Sequence, residues 1–147
     1  MHLFGDVFTA VVRRGHPSLR EGSRLTLEKL TKLDHLVLSS TGEETDFVDA
    51  ELERHGMTRR VALRAPLLST ATILAQSDMV AILTERAART FAAMAPLQVL
   101  ALPFPSPKIA MASLWHRRSD DLPAHHWLRG IVHRTARREA SAARPGS

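Results

Sequence analysis

The chain has 147 residues, of which 44% are hydrophobic and 24% charged, with a formal net charge of +5 and no cysteine. This length supports one sizeable core, and the composition excludes disulfides, thiolate catalysis and Cys-type zinc sites. No apolar run approaches the length of a membrane span, and the start of the chain lacks the basic and apolar regions of an export signal. We therefore expect a cytoplasmic protein with no membrane partner.

Short apolar runs alternate with helix-like segments along the chain, and this alternation is typical of α/β folds. A helix is predicted over 43–55, because Thr41 begins a capping-box pattern and Gly56 is placed to end it. Two shorter helices are predicted to start near residues 69–70 and at Thr84. Strands are predicted at 7–12, 36–38, 61–63, 79–83, 97–102 and 109–115.

The C-terminal part begins with a proline-rich run at 102–107, which can continue neither a central strand nor a helix and predicts a stiff crossover. A last helix is predicted from Asp121, with Pro123 in its first turn. Its apolar stripe must dock on an apolar surface, and it comprises Trp127, Leu128, Ile131 and Val132. The excess of arginine near the end of the chain runs into an Ala/Ser/Pro/Gly segment, so we expect a basic flexible tail over 135–147.

Patterns for metal, nucleophile and nucleotide sites are weak. The clustered histidines (His116, His125, His126 and His133) have no pair at the i, i+4 spacing of a helical zinc motif. The serines lack a nucleophile-elbow context, and the glycines form no phosphate-binding loop. We therefore predict no metal, no cofactor and no enzymatic activity.

Two predicted strand-to-helix turns are the remaining candidates for a ligand-binding site. Each presents hydroxyls and free backbone N–H groups at a helix start, where a carboxylate can bind, although the same side chains could simply cap the helices. In open α/β sheets such turns lie at the carboxyl ends of the strands, where ligands bind. The predicted ligand-binding residues are Ser39, Ser40, Thr41, Leu68, Ser69 and Thr70.

Five segments, in order, resemble the effector-binding domain of LysR-type transcription regulators. They are VVRRGHP at 11–17 with LTLEKL at 25–30, SDMVAIL at 77–83, ERAAR at 85–89, VLALPFP at 99–105, and LWHRR at 114–118 followed by Asp121, Pro123, His125, Trp127 and Leu128. Thr84 stands where the family usually has proline, which still suits the start of a helix.

The resemblance implies an α/β fold of the periplasmic-binding-protein type 2, with 36–38, 61–63 and 79–83 as central strands and helices on both faces. Residues 1–134 would form a partial effector domain: a complete second subdomain over 13–102, and the returning strand and helix of the first subdomain over 108–134. The family's winged helix-turn-helix and the front of the first subdomain have no counterpart in this sequence.

The function implied is sensing of a small organic effector, a carboxylate or an aromatic acid, which biases the conformation of an oligomer that controls transcription. DNA would be bound only through the helix-turn-helix that this sequence lacks. Because strand 109–115 and the apolar stripe would lack their neighbours, we expect a homo-oligomer, or a C-terminal part that folds back on the second subdomain. A basic nucleic-acid-binding module and a small hydrolase using the histidines are the alternatives.

Overall fold

The computed structural model describes residues 1–38 and 46–142. Seven strands and five helices follow one another in this part: β1 (His2–Asp6), β2 (Phe8–Arg13), α1 (Leu27–Lys32), β3 (Asp34–Leu38), α2 (Asp46–Arg54), β4 (Arg60–Ala65), α3 (Leu67–Ala75), β5 (Val80–Thr84), α4 (Glu85–Met94), β6 (Leu97–Leu100), β7 (Ile109–Ala112) and α5 (Pro123–Ala142). They form two compact units, one of Val7–Pro107 and a smaller one of Met1–Asp6 with Lys108–Ser147. The larger unit contains the predicted span 13–102 and extends beyond it at both ends.

The larger unit is built on a five-stranded sheet with the order β4-β3-β5-β2-β6. Strands β3, β4 and β5 are parallel, because each is followed by a helix that returns the chain to the same end of the sheet. Strand β2 runs antiparallel between β5 and β6. Of the three strands predicted to be central, 61–63 instead belongs to the edge strand β4, which is exposed except at Ala65.

Helices cover both faces of this sheet, as predicted. On one face Ala10, Val12, Val80 and Ile82 pack into a core with Leu30 of α1 and with Val48 and Leu52 of α2. On the other face Val11, Leu36, Ala81 and Leu83 pack with Leu74 of α3 and Ala88 of α4. Successive residues of a strand point to opposite faces, so a strand covered on both faces must be apolar throughout. The continuous apolar runs of β2 and β5 have this cause.

Local signals explain several boundaries of the helices. Thr26 caps α1 through its hydroxyl, which accepts a hydrogen bond from the Lys29 N–H at 3.3 Å. Gly56, the second residue after α2, takes a φ of +68°, a left-handed conformation that favours glycine, and the Met57 N–H then donates to the Leu52 carbonyl at 2.9 Å. The prediction that Gly56 ends this helix is confirmed.

The proline-rich crossover is held by an aromatic cluster. Phe104 is buried, and its ring lies 6.4 Å from that of Phe47, which in turn lies 4.8 Å from the ring of Phe8. The Ser106 hydroxyl accepts a hydrogen bond from the Phe8 N–H at 2.7 Å. These contacts fix the crossover to the start of β2.

Histidine 35 is fully buried in β3. Its Nε2 lies 2.9 Å from the Leu30 carbonyl and donates to it, whereas its buried Nδ1 has no hydrogen-bond partner within residues 1–38 and 46–142. Burial lowers the pKa of His35, and Arg59 acts in the same direction, while the Leu30 carbonyl, Asp49 and Asp34 oppose the shift. The ring is therefore neutral and serves as a structural donor.

The smaller unit contains an antiparallel pair of strands, β1 and β7, together with α5. The sequence predicted β7 but not β1, and β7 thus has one neighbour from the start of this chain. Helix α5 continues through residues 135–142, where we predicted a flexible tail, because no proline or glycine interrupts it there and Ala136 is buried. No helix in the described ranges has the length and hydrophobicity needed to cross a bilayer.

Candidate functional site

The carboxyl ends of β3, β4 and β5 lie at the same end of the sheet, because these three strands are parallel. Each strand leads into a helix there: β3 towards α2, β4 into α3 through Pro66, and β5 into α4 at Thr84. Helix N-termini present unpaired N–H groups and a partial positive charge. The carboxyl end of these strands is therefore the part of the larger unit best suited to hold an anion.

The start of α3 is open. Pro66 occupies the N-cap position and makes no side-chain cap hydrogen bond, since its ring has no polar atom. The hydroxyls of Ser69 and Thr70 donate to the Pro66 carbonyl, at 3.0 Å and 3.1 Å, and the Ser69 N–H donates to the same carbonyl at 3.2 Å. The backbone N–H groups of Leu67 and Leu68, the first two of the helix, are left as donors for a carboxylate.

The start of α4 differs, although Thr84 holds the N-cap position that the sequence predicted. The Thr84 side chain makes no cap hydrogen bond, and the Glu85 N–H donates to the Val7 carbonyl at 2.8 Å. The first donor of this helix is thus occupied by the backbone. In α4 the bonded amide is that of the first helical residue, whereas in α3 it is that of the third, Ser69, so the first two N–H groups of α3 stay available to a ligand.

The structure places the predicted ligand-binding residues as follows. Ser39, Ser40 and Thr41 lie outside the described residues. Leu68 is 91% exposed in the first turn of α3, and Ser69 next to it is half-buried. Thr70 is fully buried, so its hydroxyl cannot reach a ligand from this position and instead fixes the Pro66 carbonyl.

The sequence reasoning missed Pro66. It started this helix near residues 69–70, whereas α3 begins at Leu67. The signal was present, because a proline directly before an apolar helical run is typical of a helix start. Among the described residues no group of three His, Asp or Glu side chains is placed to hold a metal ion.

Comparison with known proteins identifies relatives of the chain. The family described as LysR substrate binding domain matches residues 1–137. The HTH-type transcriptional regulator SyrM of Rhizobium meliloti is 31% identical over 132 residues, which cover 88% of this chain and 40% of that protein. This chain therefore spans well under half the length of such regulators.

Solved structures give the same picture. The regulatory domain of MexT, a transcriptional activator in Pseudomonas aeruginosa, superposes with a TM-score of 0.80 at 27% identity, over 91% of this chain and 65% of that one. The effector binding domain of QuiR, solved in complex with shikimate, gives a TM-score of 0.66 at 16% identity, over 94% of this chain and 65% of that one, which is a likeness of fold. The predicted periplasmic-binding-protein-like α/β fold of LysR effector domains is thereby confirmed.

Proposed function

The chain belongs to the LysR substrate-binding domain family, and from this premise we propose that it binds a small organic carboxylate at the start of α3. The observation that carries this proposal is the open N-terminus of α3 at the carboxyl end of β4. The shikimate of QuiR, which carries a carboxylate at neutral pH, supports the choice of ligand class. The family consists of transcription regulators rather than enzymes, and the proposal assigns no catalytic role to the histidines.

Each residue at this helix start has a distinct role in the proposal. The backbone N–H groups of Leu67 and Leu68 donate to the carboxylate, and the Ser69 hydroxyl turns from the Pro66 carbonyl towards it. The exposed Leu68 side chain contacts the apolar part of the ligand. Thr70 acts as a positioning residue, since its buried hydroxyl holds Pro66 in the N-cap position.

We propose that the second half of the site is formed by the segment after β3 that contains Ser39, Ser40 and Thr41. These residues have the same hydroxyl-rich pattern, and β3 lies beside β4 in the sheet. We propose that, in a regulator that contains this domain, ligand binding biases a pre-existing equilibrium between oligomer conformations, and that DNA is contacted by a helix-turn-helix outside these residues.

We further propose that the smaller unit contributes to self-association. A groove of about 380 Å³ in this unit is lined by apolar side chains that include Leu114, Trp115, Leu128 and Val132. Leu114 is 89% exposed, and Leu128 is 52% exposed. Exposed apolar side chains that share one groove are typical of an interface, and a second copy of the chain is the occupant that we propose.

The carboxylate proposal is tested by titrating the chain with shikimate and with its uncharged methyl ester, followed by amide NMR. We expect shikimate to shift the resonances of the α3 amides saturably. The ester should bind at least about tenfold more weakly. Ser69→Ala should weaken shikimate binding by roughly three- to tenfold, the value of one hydrogen bond.

The matched control is Ser77→Ala, because the Ser77 hydroxyl donates to the Ile73 carbonyl at 2.8 Å at the opposite end of the same helix. This variant should bind shikimate as the wild type does. Equal affinity for acid and ester, or equal loss in Ser69→Ala and Ser77→Ala, would show that the start of α3 does not hold the carboxylate.

A further inference from the structure

A second cleft lies against β6, at the edge of the sheet opposite to β4. It has a volume of about 440 Å³, and its walls are the strand β6, the loop of Glu21, Gly22 and Ser23, and the side chains of Arg14 and Ala92. We call it the edge cleft. Because β4 and α3 belong to the other edge, the edge cleft is separate from the carboxylate site proposed above.

Two buried polar atoms in residues that line the edge cleft have no hydrogen-bond partner in the described part of the chain. The Gln98 side chain is held by its amide group, whose Nε2 donates to the Leu19 carbonyl at 2.9 Å and to the Arg13 carbonyl at 3.3 Å. Its Oε1 accepts no hydrogen bond from any described residue, and the same is true of the Ser23 hydroxyl. Buried polar atoms are almost always paired in folded proteins, so these two call for a donor from outside the chain.

The edge cleft also holds one unpaired charge of each sign. The Arg14 Nε donates to the Leu97 carbonyl at 3.2 Å, and no carboxylate in the described part of the chain forms a salt bridge with its guanidinium. Glu21 is exposed and has no salt bridge to a described cation. The two charges do not pair with each other, although they line one cleft. A ligand that carries both charges could neutralise both.

We propose that the edge cleft binds a small zwitterion of the α-amino acid class. The carboxylate of the ligand pairs with the Arg14 guanidinium, which suits a planar anion. Its ammonium group, which has three donors and no acceptor, binds the Glu21 carboxylate and the Gln98 Oε1, with the Ser23 hydroxyl as a further partner. The volume admits a small side chain against Ala92 and β6.

The test is a titration with L-alanine, compared with propionate and ethylamine, which each keep one of its two charges. The readout is the ¹⁵N resonance of the Gln98 side-chain amide and the Ser23 backbone amide. We expect saturable shifts with L-alanine and at least about tenfold weaker binding of propionate and ethylamine. If L-alanine binds no better than either of these, or shifts neither resonance, the proposal is wrong.

Variants then assign the charges. Glu21→Gln and Arg14→Gln should each weaken L-alanine binding by about tenfold or more, and Arg14→Lys should recover part of the loss. Arg24→Gln, which removes an exposed cation next to the same loop, should bind within about twofold of the wild type.

Since the Glu21 carboxylate is exposed and makes no hydrogen bond or salt bridge to a described residue, Glu21→Gln should leave the fold intact and is decisive even if Arg14→Gln is destabilised. Unchanged affinity in Glu21→Gln would overturn the proposal. Ser69→Ala should leave L-alanine binding unchanged, which separates this site from the start of α3.

Discussion

Replacing His35 by glutamine should remove a pH dependence of stability from the larger unit. The His35 ring is fully buried, its Nε2–H donates to the Leu30 carbonyl, and its Nδ1 has no partner among the described residues. Protonation in the folded state would bury a second N–H without an acceptor, and burial accordingly lowers the pKa of His35 below its usual value. The unfolded chain therefore binds the proton more readily than the folded chain does.

The direction and the size of the pH effect on stability follow from the linkage between proton binding and folding. The stability that a neutral His35 contributes is fully present above the unfolded pKa of about 6.5 and is lost as the pH falls from there towards the lowered folded pKa. Within that window one such histidine makes the free energy of unfolding fall by at most about 1.4 kcal/mol per pH unit. His35→Gln retains a donor for the Leu30 carbonyl but cannot titrate, so its stability should fall less steeply.

The measurement is urea unfolding at several values between about pH 8 and about pH 5, followed through amide NMR signals of β2 and β3. Tryptophan fluorescence would be misleading, because Trp115 and Trp127 both lie in the smaller unit. His126→Gln, which removes an exposed histidine of α5, is the control. Its free energy of unfolding should change with pH in the same way as that of the wild type. Parallel curves for wild type and His35→Gln across the whole range would refute the account of a buried, neutral ring.

Two further predictions concern packing and association. Leu52→Ala, at a fully buried position of α2, should lower the free energy of unfolding by about 2–5 kcal/mol in urea titrations. The control Leu68→Ala, at a position that is 91% exposed, should change it by less than about 0.5 kcal/mol. Similar losses in the two variants would contradict the described core. Leu114→Arg should shift the chain towards monomer in sedimentation velocity, while Met94→Arg, at a position of α4 that is 76% exposed, should not. A wild-type chain that is already monomeric would contradict the proposed self-association.

The sequence by itself determined the features that depend on neighbours along the chain. The alternation of apolar runs with helical segments identified the α/β class and located β2, β3, β5 and β7, because a strand or helix pattern repeats within a few residues. Gly56 and Thr84 marked helix boundaries for the same reason, since a cap depends on the conformation of one residue. The family resemblance was carried by short segments in order, and it needed no tertiary contact.

Only the tertiary structure decided features that depend on residues far apart in sequence. The apolar run of β4 resembles that of β5, yet β4 lies at the sheet edge and β5 inside it, and strand order follows from long-range pairing that local pattern does not encode. The same holds for β1, whose partner β7 lies more than a hundred residues away.

The sequence also did not determine which hydroxyl group at the candidate site is buried. Ser69 and Thr70 have the same chemistry and adjacent positions, but a helix places successive side chains about 100° apart, so that Thr70 is fully buried while Ser69 is only half-buried. The unpaired Gln98 Oε1 depends on contacts with Leu19 and Arg13, some eighty residues earlier. Local sequence thus specifies which groups a turn or strand carries, whereas packing decides which of those groups a ligand can reach.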